Sequence, residues 1–109
     1  MRPVTYTATA ADAAAGYTPP IPVDYMRVNG QYGLKYLNAA GGAGGGTVQY
    51  TIDDVFNLPA GGSNALTWVN IALTANFAQV NEAVTGFRVN NPTAGDVLRV
   101  VAQGGTPAG

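Results

Sequence analysis

The sequence predicts an all-β fold, a single antiparallel β-sandwich or jelly-roll-like domain over residues 1–109. Three observations predict it. Short alternations of apolar and polar residues recur along the chain, the period-two mark of strands with one buried face. Clusters of Gly, Pro and Asn separate them at close intervals, and no 3.6-residue apolar period persists. A chain of 109 residues also matches one ordinary domain with a modest core.

The elements follow in order. Val4-Thr5-Tyr6-Thr7-Ala8-Thr9-Ala10 alternates apolar and hydroxyl residues and predicts a half-buried strand, with Met1–Tyr6 forming an extended N-terminal arm. Asp12 to Pro20 combines small residues, Gly16 and a Pro pair, and reads as a loop. In Ile21–Tyr25, Pro22 lacks the N–H that a central strand donates, so this segment is an edge or an extended crossing. Tyr32, Leu34 and Tyr36 share one face of the next strand, with Gly33 and Lys35 opposite. The Gly-rich run 39–46 reads as a flexible hairpin loop, because glycine weakens regular elements.

Thr47–Ile52 is the clearest strand, with Val48, Tyr50 and Ile52 on one face and Thr47, Gln49 and Thr51 on the other. Asp53-Asp54-Val55-Phe56 predicts a helical turn capped by Asp, ended by Pro59 and Gly61-Gly62. Leu66–Ile71 predicts a short strand carrying the sole Trp, Trp68. From Thr74 to Glu82 the signals are mixed, and the region reads as irregular. Ala83–Asn90 predicts a strand with a bulge around Gly86. Asn91–Asp96 is a turn cluster, Val97–Ala102 the last strand and Gly104–Gly109 a tail.

Composition excludes most chemistry. With no Cys there is no disulfide framework, thiol nucleophile or thiolate metal site. With no His, the commonest general base and transition-metal ligand are missing, so triad hydrolases and zinc enzymes are not expected. Net charge is −1 and only 10% of residues are charged, which offers no basic face to a nucleic acid. No apolar run is long enough to span a bilayer. The start, Met1-Arg2-Pro3-Val4-Thr5-Tyr6, continues into alternating Thr rather than an apolar stretch, so no signal peptide is expected. Synthesis in the cytoplasm without export follows.

The remaining candidate sites have plain structural readings beside their functional ones. Asp53-Asp54 is the sole carboxylate pair and is available to Ca²⁺ or to a glycosidase. Neither chemistry is supplied with its further ligands or its second placed carboxyl, and a cap and turn is expected instead. The glycines at 41–46 lack the Lys-Ser/Thr of a phosphate loop and precede a strand, not a helix. The aromatic residues would serve either as a sugar-stacking platform or as core and subunit contacts. Arg88 and Arg99 each interrupt an apolar strand. Each either faces solvent or pairs with acidic groups of a neighbouring chain. No catalytic residue, metal or cofactor is expected.

Few charges, uncharged strand faces and a single Lys leave the sheets poorly protected from association, which predicts a surface covered by other chains. The order of segments then points to a family. Pro20-Ile21-Pro22-Val23-Asp24-Tyr25 is followed by Val48-Gln49-Tyr50-Thr51-Ile52-Asp53-Asp54-Val55-Phe56, the lone Trp68, Gly86-Phe87-Arg88-Val89-Asn90 and the Val97–Gly105 ending. Together these resemble small virion structural proteins of tailed bacteriophages. The chain departs from that pattern at Gly41–Gly46, which lengthens a loop, and at Arg99, where the group tends to be apolar.

The resemblance implies a virion component without catalytic motifs. The leading expectation is a capsid decoration (cement) protein on the capsid surface, with the major capsid protein and copies of itself, as dimer or trimer, for partners. A neck or tail component is the alternative, and a carbohydrate-binding sandwich the second. Neither nucleic acid nor membrane is an expected partner. Contacts are expected at Met1, Val4 and Tyr6 of the arm, at Tyr25, Phe56 and Trp68, and at Arg88 and Arg99.

Overall fold

The computed structural model describes residues 4–23, 31–81 and 84–103. Among them, eight strands form two antiparallel sheets: β1 (Val4–Thr7), β2 (Ile21–Pro22), β3 (Gln31–Leu37), β4 (Thr47–Thr51), β5 (Val69–Asn70), β6 (Phe77–Val80), β7 (Gly86–Asn90) and β8 (Val97–Gln103). Sheet A runs β1-β8-β3-β6 and sheet B runs β2-β7-β4-β5. Consecutive strands thus alternate between the sheets, apart from β4 and β5, in the double Greek-key winding of a jelly roll. The expected all-β sandwich is the observed fold.

The core lies between the sheets because the alternation is in phase on both. Tyr32, Leu34 and Tyr36 of β3, Leu98 and Val100 of β8 and Val80 of β6 face Val48, Phe87 and Val89 of sheet B, all of them buried. Tyr32 meets Phe87 edge-to-face across the layers, with centroids 5.4 Å apart, the packing that ring quadrupoles favour. The phase of β8 is settled by the same register: Leu98 and Val100 point inward, Arg99 and Val101 outward.

Several expectations need correction. Val4–Tyr6 is no free arm; it pairs with β8 over Val4↔Val100, Thr5↔Arg99 and Tyr6↔Leu98, while Met1 lies outside the described residues. The expected loop after it contains a short helix, α1 (Ala10–Ala15), where the first strand had been expected to reach Ala10. Thr9 and Asp12 form a capping box at its start and Gly16, at φ 90°, closes it. The region expected to be irregular holds β6. Its entry is a two-residue turn with Ala75 and Asn76 at φ 52° and 67°, closed by reciprocal hydrogen bonds between Thr74 and Phe77.

Asp53–Phe56 is a turn rather than a helical one, with the Asp54 carboxylate accepting from the Phe56 N–H at 2.9 Å. No bulge occurs at Gly86, which pairs in register with Thr51; its missing Cβ instead admits Val55, whose Cγ1 lies 2.9 Å from where that Cβ would be. Of the expected strand 66–71 only β5 is formed. The tail 104–109 lies outside the described residues.

The glycine run is a packed loop, not a slack one. A Cβ at Gly44 would overlap the Tyr36 ring, and one at Gly46 would overlap the carbonyl oxygens of Asn90 and Asn91. Buried Asp96 holds this loop. Its Oδ2 accepts from the Gly45 and Thr93 N–H groups at 2.9 and 3.0 Å and from the Tyr36 hydroxyl, which itself accepts from the Gly46 N–H at 2.9 Å.

Candidate functional site

Two outward surfaces and one buried cluster gather the side chains that the sequence singled out. The buried cluster forms on the outer face of sheet B. Arg88 and Gln49 are register partners there, and the loop between β4 and β5, including a 3-10 turn (Gly62–Ala65), roofs them. Arg88 is 4% exposed. Its guanidinium stacks between Trp68, 4.4 Å from the ring centroid, and Tyr17, at 5.2 Å. Nε donates to the Gln49 side-chain oxygen at 2.8 Å and an outer nitrogen donates to that of Asn64 at 3.2 Å.

Burial lowers the Arg88 pKa, with Tyr17 acting in the opposite direction, yet a guanidinium so far above neutrality stays charged. Gln49 also donates to Asn70 at 2.8 Å, and the Trp68 indole N–H donates to the Ser63 carbonyl at 2.8 Å. Arg88 therefore does not face solvent, and one face of the half-buried Trp68 ring is taken up by it. Period-two reading sets Gln49 and Thr51 on the face opposite Val48 and Tyr50. The roofing loop buries both.

The first outward surface lies on that roofing loop. Ile52, Phe56 and Leu58 are 66%, 69% and 44% exposed, beside Asp54, which is also exposed. Phe56 thus remains a contact candidate, whereas Tyr25 lies outside the described residues. Asp53 is tied back to the fold, accepting from the Thr67 N–H at 2.7 Å.

The second outward surface is the exterior of sheet A. Antiparallel register sets Arg99, Lys35 and Phe77 side by side across three strands, and Val101, Gly33 and Gln79 in the next row. Gly33 brings no side chain to the centre of that row, leaving an open groove of about 850 Å³. Phe77 is 55% exposed at its edge. Lys35 and Arg99 stand directly opposite each other, where like charges repel, and neither pairs with a described carboxylate. Sequence reasoning singled out Arg99 and missed Lys35, Phe77 and the groove, because β6 was not anticipated. Val4 and Tyr6 are half-buried against the core, and the Tyr6 hydroxyl donates to Asp12 at 2.6 Å.

Among the described residues no group of three or more Asp or Glu stands close enough to hold a metal ion, and no helix is long and apolar enough to cross a membrane. Comparisons with protein families, curated proteins and solved structures find no match to this chain.

Proposed function

We propose that this chain is a structural protein of a bacteriophage particle, a decoration (cement) protein that binds the outer shell and ties capsid subunits together. The observation carrying this reading is the pair of contact surfaces on a charge-poor jelly roll. Ile52, Phe56 and Leu58 are exposed on the roof of sheet B, and Phe77 and Val101 on the exterior of sheet A. Apolar groups left in water on two sides of one small domain suit a protein that touches more than one neighbour. Many modest contacts then sum through multivalency to resist pressure from within the shell. The resemblance in segment order and the jelly-roll winding, which recurs in viral capsid domains and in lectins, support the same reading by analogy.

A sugar-stacking platform is less well supported, since Trp68 is already stacked on Arg88. A neck or tail position differs in copy number, many copies in step with the shell for a cement against a single ring for a connector. Incubating purified shells that lack this chain with the protein tests the reading. Saturable binding, with shells that then withstand more heat, is expected; shells that bind it no better than an unrelated sandwich domain would overturn it.

A further inference from the structure

The charge pattern points to an interface between copies of this chain, in which the loop Ile52–Leu58 of one copy docks into the sheet A groove of the next. This deepens the proposed role, resting on its premise that the chain works in many touching copies. The two surfaces complement each other in both character and sign. The loop offers exposed Ile52, Phe56 and Leu58 around the exposed carboxylate of Asp54. The groove offers Phe77 and Val101 around the opposed cations Lys35 and Arg99. Burying a carboxylate against those cations relieves a repulsion that no described carboxylate offsets.

The alternative self-contacts lack this match. Groove against groove would bring two Lys35–Arg99 pairs together about a two-fold axis, and loop against loop would bring Asp54 against Asp54. The loop roofs sheet B and the groove lies outside sheet A, so one pair of copies cannot make both contacts reciprocally. The contact is therefore head-to-tail, building a ring of three or more copies where its rotation closes and an open filament where it does not.

Sedimentation velocity across a concentration series, at low and high salt, tests the contact. The wild-type chain is expected to associate, more weakly as salt rises. Asp54→Lys and Arg99→Glu each put like charges into the contact and should weaken association by about tenfold or more, while Phe56→Ser weakens it without a charge change. Mixing the Asp54→Lys and Arg99→Glu chains supplies one wild-type and one charge-swapped contact, so the mixture should associate in one-to-one ratio where each chain alone does not, and the double variant, which carries only the charge-swapped contact, should regain association. All these positions are exposed, and circular dichroism checks that each variant is folded. A monomeric wild-type chain, or single variants that associate as the wild type does, would overturn the interface. A monomer that still binds shells would remove this contact and leave the decoration role standing.

Discussion

At Arg88 a full charge is removed from water without a carboxylate among its described neighbours. Two aromatic faces and two side-chain amides take the place of a counter-ion. A desolvated stack of this kind is worth about 2 kcal/mol, and hydrogen bonds from a charged donor add to it. Arg88→Ala should thus destabilise the fold by about 3 kcal/mol, read as a shifted urea midpoint, and should change the fluorescence of Trp68, the only tryptophan. Arg88→Lys should cost about 1.5 kcal/mol, since an ammonium keeps the charge but not the planar stack. A loss below about 0.5 kcal/mol for Arg88→Ala would show that the cluster contributes nothing. The sequence displayed the polar residue in an apolar strand, but its partners Trp68, Tyr17 and Asn64 are distant along the chain, so no local pattern reveals the stack.

Turns and caps carry the element scale, and there local chemistry decided what the sequence made legible. The strands β3, β4 and β8 were readable because one face of each is uniformly apolar. The β6 hairpin was not, because its turn places Ala75 and Asn76 at positive φ where Asn-Gly is the usual signal. Ala75→Gly should therefore stabilise the protein by about 1 kcal/mol in thermal or urea unfolding; destabilisation would contradict that geometry. The glycine run misled in the opposite sense, since its residues are small to fit rather than to flex. Gly46→Ala, facing backbone oxygens, should cost about 2 kcal/mol or more, while Gly42→Ala, whose Cβ meets only the Asn38 side chain at 3.3 Å, should cost well under 1 kcal/mol. Between β1 and α1, the Tyr6–Asp12 bond sets a pH dependence. Burial, the hydrogen bond to Asp12 and the negative charge of Asp12 raise the Tyr6 pKa from 10.0 to about 12. The stabilisation from Tyr6 is complete below pH 10 and is lost as pH rises through about 12. Burial alone would raise the Asp12 pKa, but hydrogen bonds from Tyr6 and Thr9 outweigh it and lower it from 3.8, so its contribution holds above that value and fades in stronger acid. Alkaline unfolding curves of Tyr6→Phe should consequently be flatter between pH 10 and 12 than those of the wild type.

For the whole molecule, the two packed sheets were legible in the spacing of strands and turns, while the β1-β8-β3-β6 and β2-β7-β4-β5 order was not, because strand partners lie far apart in sequence. The same limit hid the groove, which exists only once β3, β6 and β8 are side by side. What the completed fold adds is a division of labour. The core and the Arg88 cluster stabilise the domain from within, and the apolar loop and cationic groove face outward, uncovered by the described residues. Under the proposed reading, these surfaces are where the protein is held in an assembly. Quantitative mass spectrometry of purified phage particles from cells expressing the genome that encodes this chain tests that claim most directly. The account predicts the chain in mature particles at a fixed, near-stoichiometric ratio to the shell protein; particles without it, and the chain left free in the lysate, would contradict the account.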